Sequence, residues 1–421
     1  MDDHRNGDGP AAAAGGTVAG ADAGAARIPA GDPQAREALL ARARDLADTL
    51  APSVAARDRQ GGRPCAEIAL LKRSGLLEAM VPQAWGGGGH PWSAVLAVVR
   101  EFARVDGSIA HLYGYHFLLM NMPVIAGQLA QAEALQRASV RHRWLWGNAV
   151  SSRDPTLKGR ESGTGHVLDG FRPFATGSHV ADMLYIGWED EAGAGKRFAA
   201  IPASREGVQI MDDWDGFGQT QTGSGSVRFH GVRVLPEEVV DMAPSRGKPV
   251  STLLPQMSQS VLSSVFIGSA LGALEEARRY AMTKSRPWLD AGVACHHEDP
   301  WVRRVFGDLW IRTEAARLLV EKADRALDAL WEAGQDLTEA FRAEQACTIA
   351  AANVLAGEVA LHVTSAVFEV MGARSATRAN GFDRFWRNVR VHTLHNPAEY
   401  KTRNVGTWVL TGQYPPPSLY V

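Results

Sequence analysis

The spacing of apolar residues divides the chain into three regions behind a polar tail. Residues 1–33 are rich in Ala, Gly and Asp, and we expect them to be disordered. Residues 34–146 repeat apolar positions at helical spacing, whereas residues 147–242 contain short apolar runs between Gly, Asp and Pro turns. Helical spacing resumes in residues 243–421. The pattern therefore predicts an N-terminal helical domain, a β-domain and a C-terminal helical bundle.

Individual elements can be predicted within these regions. Helices are expected at residues 35–50, 66–74 and about 90–105. A further stripe with alternating spacings of four and three is typical of a bundle helix, and it consists of Val302, Phe306, Leu309, Thr313, Ala316, Val320, Ala323, Leu327 and Leu330. Strands are expected at residues 166–168, 183–187, 198–201, 208–210 and 226–229, which together suggest a small barrel or sandwich.

Composition and charge narrow the class of protein. Lys+Arg 44 against Asp+Glu 46 gives a formal net charge of −2, and the pI of about 6.7 gives no sign of a nucleic-acid partner. Cys65, Cys295 and Cys347 lie far apart without a Cys-x-x-Cys pair, so neither a disulfide scaffold nor a thiolate zinc site is expected. The N-terminal segment is too poor in large apolar residues for a signal peptide or membrane span. We expect a soluble, cytoplasmic protein without a nucleic-acid or membrane partner.

Polar side chains near the C-terminus line up on one face of a predicted helix. Arg384, Asn388, His392 and His395 are separated by four, four and three residues. The Asn-Pro-Ala-Glu that follows has the form of a new helix start, so the first helix is expected to end near His395. The carbonyl groups of a helix end favour the imidazolium form, which suits a proton donor.

Two other kinds of site receive less support. The glycine run at residues 86–89 lacks the spacing of a nucleotide phosphate loop, and no predicted strand precedes it. His392 and His395 could be a metal pair, but the chain has no Glu-x-x-His and the same face offers Arg384 instead of a carboxylate. We therefore expect no metal.

Three segments carry a family resemblance when they are taken in order. Residues 71–87, 168–182 and 227–236 resemble the helix-to-loop pattern, the first β-hairpin and the strand before the bundle in the acyl-CoA dehydrogenase superfamily. With the other segments, the resemblance covers nearly the whole chain after the tail. It implies an α+β, mostly α fold: an N-terminal helical domain, a small β-barrel or sandwich and a C-terminal four-helix bundle.

Within this superfamily the chain is more similar to the flavin-dependent monooxygenases typified by dibenzothiophene monooxygenase. The segments that carry this likeness are residues 114–116, 146–148, 212–218, 285–288, 382–390, 392–395 and 412–415. The likeness implies that a separate NAD(P)H-dependent flavin reductase supplies reduced FMN, which reacts with O2 to form a flavin C4a-(hydro)peroxide. That species oxygenates a hydrophobic small molecule, typically one containing sulfur, and the enzyme is expected to be a homotetramer.

The chain departs from the dehydrogenases of the superfamily. Residues 371–381 contain no carboxylate where some dehydrogenases place a catalytic Glu, although Glu275 or Glu276 keeps a base on an earlier helix formally open. The Arg-x-x-Phe-Gly motif that helps bind the FAD pyrophosphate is missing, so FMN is expected rather than FAD. The alternatives are an FAD-dependent acyl-CoA dehydrogenase, a flavin-dependent N-hydroxylase of a biosynthetic pathway and a catalytically silent oligomeric scaffold.

The resemblance implies catalytic residues, each with a structural alternative. His116 and His395 would face the flavin from opposite sides and hold the peroxide oxygens, although His116 could be a core histidine and His395 a helix cap. Asn148 would meet the flavin edge or support a turn. Thr176 stands where the family often has Ser, and it would share a strand face with Phe174. The expected catalytic set is His116, His395, Asn148 and Thr176.

A wider set is expected to bind the cofactor: Tyr115, Asn148, Phe174, Thr176, Trp214, Arg286, Arg374, His392 and His395. Arg286 and Arg374 are candidates for the FMN phosphate because guanidinium makes bidentate contacts with phosphate, although each could be a surface ion pair. In the superfamily such contacts often come from a neighbouring subunit. The apolar tail at residues 413–421 is expected to dock across a subunit interface.

Overall fold

The computed structural model describes residues 32–150, 154–193 and 195–417. The first part is helical: α1 Pro33–Leu50, α2 Val54–Gln60, α3 Cys65–Arg73, α4 Trp92–Ala103, α5 Gly107–Met120, α6 Met122–Ile125 and α7 Leu129–His142. The strands follow: β1 Trp146–Ala149, β2 Lys158–Ser162, β3 Gly165–Arg172, β4 Met183–Asp190, β5 Lys196–Pro202, β6 Val208–Ile210 and β7 Val227–Val234. The last part contains α8 Leu254–Thr283, α9 Pro300–Ala333, α10 Glu339–Met371, α11 Asp383–Thr393 and α12 Ala398–Thr411. This order confirms the predicted fold class. Residues 1–31 of the predicted tail lie outside the described residues.

Helices α8, α9 and α10 form the centre of the C-terminal bundle. The apolar stripe predicted for α9 is buried at Val302, Leu309, Thr313, Ala316, Val320, Ala323, Leu327 and Leu330. Helices α8 and α10 are long and apolar enough to cross a membrane by length and composition, but 94% of the apolar window of α8 is buried inside the protein. The apolar surface of α8 is thus covered by the protein's own helices, as in a bundle core.

The β-domain is one curled sheet with the strand order β1-β4-β2-β3-β7-β6, and β5 pairs with β4. Its core includes Leu168, Ile186, Trp188 and Phe229. Four of the five predicted strands lie within β3 to β6, and the fifth, 226–229, overlaps β7 from residue 227. Strands β1 and β2 were not predicted.

Strand β2 is missed because its side chains are polar and face solvent. Its one buried residue, Gly159, has no side chain to reveal an alternating pattern. A Cβ at Gly159 would lie 2.2 Å from Trp188 Cδ1, so the glycine leaves room for the tryptophan ring.

Two glycines allow α8 to approach α4 closely. A Cβ at Gly268 would lie 2.5 Å from the carbonyl oxygen of Arg100, and one at Gly272 would lie 2.1 Å from that of Arg104. Both obstacles are backbone atoms, which cannot rotate away as a side chain can. Arg100 also forms a buried ion pair with Asp324 on α9, which ties α4 to the bundle. The N-terminal domain and the bundle therefore share one core.

Replacing Gly272 with alanine is expected to lower the free energy of unfolding by about 1–3 kcal/mol, because α4 and α8 must move apart. Gly307 on α9 provides a matched control, since a Cβ there meets nothing within 4 Å. Gly307→Ala should raise the free energy of unfolding by up to about 1 kcal/mol through helix propensity. Urea denaturation of both variants measures the difference, and equal effects would contradict the close-packing argument.

Candidate active site

Helix α5 is buried along its whole length, from residue 107 to residue 120. Asp106 caps its N-terminus, because Asp106 Oδ1 accepts hydrogen bonds from the amides of Ser108 at 3.0 Å and Ile109 at 3.1 Å. Gly114 brings it close to α8, since a Cβ there would lie 2.4 Å from Val261 Cγ1. A polar group on such a helix needs a partner inside the protein.

The structure does not place His116 opposite His395. His116 Nδ1 accepts a hydrogen bond from Trp146 N at 3.3 Å, so its Nε2 carries the proton and donates to Leu77 O at 2.9 Å. The imidazole has no exposed surface, and burial lowers its pKa to about 4. Both nitrogens are occupied, which corrects the expected position and matches the core histidine considered as the alternative.

His111, rather than His116, is the histidine of α5 that faces the polar residues of α11. Its Nδ1 lies 3.0 Å from His392 Nε2, and the two rings meet edge to face with centroids 4.2 Å apart. The contact joins α5 to α11, and therefore the N-terminal domain to the end of the bundle. His111 was not among the predicted site residues. Its spacing of four residues from Tyr115 was the available signal, because such residues share a helix face.

The His111–His392 pair has two outer ring nitrogens that remain available. His111 Nε2 and His392 Nδ1 are buried, and neither has a hydrogen-bond partner among the described residues. A neutral imidazole carries one proton, so whichever ring donates in the shared hydrogen bond, the pair presents one donor and one acceptor outward. Unpartnered buried groups of this kind are expected where a ligand supplies the missing partner.

Burial keeps both imidazoles of the pair neutral. The loss of solvent is the largest cause that lowers the pKa of His111 to about 3 and the pKa of His392 well below its usual value. A neutral pair can pass a proton between its outer nitrogens by exchanging tautomers. The geometry therefore suits a group that holds or moves a proton away from solvent.

His395 lies in the turn between α11 and α12, so the predicted helix break is confirmed. Its backbone amide donates to His392 O at 3.1 Å, just beyond the end of α11. The expected imidazolium form is not supported, even though His395 is an exposed residue. Loss of solvent around the ring lowers the pKa of His395, and the charge of Lys401 lowers it further. These effects outweigh the partial charge of the helix end.

Lys401 is a buried cation between α12 and α10. Its Nζ donates to Asn353 Oδ1 at 2.7 Å, and Asn353 Nδ2 donates to Gln259 O at 3.1 Å and Ser263 Oγ at 3.0 Å. Burial lowers the pKa of Lys401 to about 8. The amine is therefore mostly protonated at pH 7, and its charge adds to the desolvation that lowers the pKa of His395.

Tyr115, a predicted cofactor residue, lies beside the histidine pair. Its ring meets the ring of His111 edge to face with centroids 4.2 Å apart, and its hydroxyl is 3.0 Å from Ser258 Oγ on α8. Burial raises the pKa of Tyr115, so the phenol keeps its proton near neutral pH. Tyr115 thus supports the His111 ring and offers a further hydroxyl at the site.

A loop of the β-domain, residues 218–224, is held between α5 and α11. Gln219 N donates to Asn388 Oδ1 at 2.6 Å, and Gln221 N donates to Ser108 Oγ at 3.3 Å. Asn388 lies about one turn before His392 on α11, and Ser108 lies about one turn before His111 on α5. The 218–224 loop therefore reaches both helices next to the histidine pair.

Glu275 and Glu276, the alternative bases, are both ion-paired. Glu276 contacts both terminal nitrogens of Arg384, and Glu275 Oε2 lies 2.6 Å from Arg104 Nη2. Arg384 is 2% exposed and belongs to the buried face of α11, as its spacing predicted. These carboxylates join helices, which leaves them poorly placed to act as a free base.

The predicted β-domain residues lie on β1 and in the loop after β3. Asn148 N donates to Thr176 O at 2.8 Å, and Asn148 Oδ1 accepts from Val150 N at 2.8 Å, so this oxygen supports a turn. Phe174 and Thr176 do not share a strand face, because both follow the end of β3. Phe174 has a φ of 54° and is 68% exposed, whereas Thr176 is 8% exposed.

Phe174 and Trp214 form an aromatic pair beside the 218–224 loop. Their rings meet edge to face with centroids 6.4 Å apart, and Trp214 Nε1 donates to Gln219 O at 2.9 Å. A large aromatic residue held in the left-handed region is strained, and such strain concentrates at ligand sites. The expected contact of both residues with a cofactor remains a prediction.

Arg286 and Arg374 lie on the surface near the C-terminal end of α10. Ser285 Oγ donates to Met371 O at 3.0 Å, which holds the segment of Arg286 beside that helix end. The end of α11 approaches α10 at Gly357, about 21 Å earlier along the helix axis. A single chain therefore does not bring the two arginines next to the histidine pair.

The residues that do come together fit a planar heteroaromatic ligand. The buried ring nitrogens provide hydrogen-bond partners, and the Phe174–Trp214 pair provides aromatic surface. His392 Nε2 is taken by His111, so it does not point toward a metal shared with His395. A cavity of about 810 Å³ between α1, α4, α8 and α9 includes none of the residues predicted for the flavin site, although Glu275, an alternative base, lines it.

Comparison with known proteins finds relatives over most of the chain. Residues 33–138 match "Acyl-CoA dehydrogenase, N-terminal domain", and residues 260–399 match "Acyl-CoA dehydrogenase, C-terminal domain". The probable FMNH2-dependent monooxygenase SfnC of Pseudomonas putida is 40% identical over 382 residues, 90% of this chain and 97% of that protein. Dibenzothiophene monooxygenase of Mycolicibacterium goodii is 39% identical over 395 residues, 89% of this chain and 94% of that protein. TdsC from Paenibacillus sp. A11-2, solved with FMN and indole, has a TM-score of 0.87 and 36% identity over 91% of this chain and 100% of its own.

Replacing His116 with glutamine tests its structural assignment through pH. Unfolded histidine takes up a proton below pH about 6.5, whereas native His116 does so only near pH 4, so its neutral burial costs stability as the pH falls. At pH 7 the variant should be less stable by about 1–3 kcal/mol, since a glutamine amide does not reach both Leu77 O and Trp146 N with the geometry of the imidazole. At pH 5 that deficit should shrink by about 2 kcal/mol. Urea denaturation at both pH values measures it, and an unchanged deficit would contradict the assignment.

Proposed function

The chain belongs to the acyl-CoA dehydrogenase family, and from this premise we infer that it is a two-component, FMNH2-dependent monooxygenase. The observation that carries the proposal is the buried His111–His392 pair with its two unpartnered outer nitrogens. FMN is the cofactor, as in the TdsC structure, and a separate flavin reductase supplies it in reduced form. The enzyme acts on a hydrophobic, sulfur-containing small molecule.

The overall reaction moves one oxygen atom of O2 to the substrate and releases the other as water, with two electrons and two protons supplied by reduced FMN. Side chains of the protein accept and donate these protons. One outer nitrogen of the His111–His392 pair can accept a proton while the other donates one. His395 is a third histidine near this pair, in the turn between α11 and α12. Because all three histidines favour the neutral form, the acceptor nitrogen of the pair is not blocked by a proton.

A dehydrogenase reaction receives less support from this site. Abstraction of an α-proton needs a free carboxylate, and residues 371–381 contain none. Glu275 and Glu276 are occupied by Arg104 and Arg384. Protein purified with tightly held FAD that an acyl-CoA bleaches would favour the dehydrogenase instead.

The sulfur-containing substrate is proposed from the named relatives and the site's chemistry. Dibenzothiophene is a flat, apolar molecule, and exposed Phe174 beside Trp214 offers a matching aromatic surface. Nitrogen hydroxylation is the alternative, since it needs the same oxygen chemistry. Thiophenes, sulfones and amines tested with a generic flavin reductase would separate these classes.

We further propose a homotetramer in the cytoplasm. Large apolar side chains are exposed, including Trp288 at 72%, Leu289 at 93%, Trp310 at 59%, Ile311 at 62% and Leu410 at 85%. A neighbouring subunit would cover them and bring Arg286 and Arg374 to the phosphate of its partner's FMN. In the described part of the tail, Tyr414 stacks on Trp408 with centroids 6.1 Å apart, which leads the chain end along α12 toward such an interface.

Replacing His111 or His395 with phenylalanine is expected to uncouple the reaction. Product formation should fall at least about tenfold, while hydrogen peroxide release rises, because protons are no longer placed correctly. Oxygen consumption, product and peroxide are measured together with reduced FMN in excess. His230→Phe is the control, since His230 is exposed on β7. Unchanged coupling in both site variants would remove these histidines from the mechanism.

Replacing Arg286 or Arg374 with alanine tests the phosphate assignment. Each variant should bind reduced FMN about tenfold more weakly, because a charge-assisted contact to the phosphate is lost. Affinity for reduced riboflavin, which lacks the phosphate, should stay the same. Anaerobic titration with both flavins gives the comparison. Equal loss for FMN and riboflavin would show that the arginines act on the fold rather than on the phosphate.

A further inference from the structure

Three hydroxyl groups form a short buried chain that ends on a backbone carbonyl. Thr176 Oγ1 lies 2.9 Å from Ser224 Oγ, Ser224 Oγ lies 2.8 Å from Thr222 Oγ1, and Thr222 Oγ1 lies 2.8 Å from Gln219 O. Thr176, Ser224 and Thr222 are 8%, 6% and 1% exposed. The chain runs from the loop after β3 into the 218–224 loop.

The direction of every hydrogen bond in this chain follows from the positions of its protons. Each contact between two oxygens at this distance needs one proton between them, and three hydroxyls supply three protons for three contacts. Gln219 O has no proton, so Thr222 must donate to it. Ser224 must then donate to Thr222, and Thr176 must donate to Ser224. Thr176 Oγ1 is left with lone pairs only, so it faces the site as an acceptor.

The carbonyl end of the hydroxyl chain, at Gln219, is fixed where the 218–224 loop packs against α11. Gln219 has a φ of 54°, and its amide donates to Asn388 Oδ1 at 2.6 Å. Its carbonyl also accepts from Trp214 Nε1 at 2.9 Å, which fixes its orientation. The carbonyl therefore cannot turn away from Thr222 without breaking contacts to α11 and Trp214.

We propose that Thr222 and Ser224 are positioning residues that hold Thr176 Oγ1 as an acceptor and so make the site prefer reduced over oxidised FMN. The inference rests on the proposed function. The central ring of reduced flavin carries an N–H where oxidised flavin has only a lone pair. An acceptor at that ring edge forms a hydrogen bond with the reduced form and meets a second lone pair in the oxidised form. The site would then take up flavin after the reductase has acted and release it after turnover.

The test measures the dissociation constants of FMN and of dithionite-reduced FMN under anaerobic conditions, for the full chain. In Thr222→Val the hydroxyl chain loses its fixed direction, so Thr176 becomes free to donate. The preference for reduced over oxidised FMN should then fall about fivefold, the range of one hydrogen bond. Thr222→Ser keeps the hydroxyl and should restore the wild-type preference. Ser224→Ala should act like Thr222→Val and provides a second variant if valine disturbs folding.

Thr220→Val is the matched control in the same loop. Its hydroxyl donates to Asp58 O at 2.9 Å and takes no part in the chain, so the preference should stay at the wild-type value. A wild-type preference in both folded Thr222→Val and folded Ser224→Ala would overturn the inference while leaving the proposed function intact. Failure of the wild-type protein to bind FMN in either form would overturn the proposed function itself.

Discussion

The joint between the 218–224 loop, α5 and α11 is the constraint on which the site depends. A Cβ at Gly218 would lie 2.2 Å from the carbonyl oxygen of Arg387, so the loop and α11 meet at backbone distance. Gly107 at the start of α5 is also close, since a Cβ there would lie 3.1 Å from the side-chain amides of Asn388 and Gln219. Because Gly218 meets backbone and Gly107 has only side-chain atoms within close reach, little free space remains, and the orientation of the sheet relative to both helices is tightly limited.

This joint explains the electrostatic character of the site. Closing the sheet onto the helices removes water from His111 and His392, and desolvation then disfavours their charged forms. Desolvation also lowers the pKa of His395, and the charge of Lys401 lowers it further. The result is a buried pair of neutral imidazoles, His111 and His392, where proton positions are set by hydrogen bonds rather than by solvent. Such control is what a reaction that must deliver protons to reduced oxygen requires.

Much of the fold could be predicted from residue patterns, and the exceptions have physical causes. The seam of α9 and the strands of the sheet were predicted because their buried faces repeat with the period of the element. The polar strand β2 was missed because its single inward residue is Gly159. His116 was preferred over His111 because α5 is buried on every side, and uniform burial leaves no amphipathic signal to orient the two histidines.

The order of the three regions, the family and the polar face of α11 could be predicted from the amino-acid sequence, because local periodicity and motif order survive without three-dimensional context. The helix break beside His395 could be predicted in the same way. The tertiary structure was needed to show that His111 is the histidine of α5 that meets α11, that the imidazoles are neutral, and that Thr176 ends a directed hydroxyl chain. These properties depend on distances between residues far apart in the chain and on the exclusion of water, and neither is encoded in the spacing of neighbouring residues.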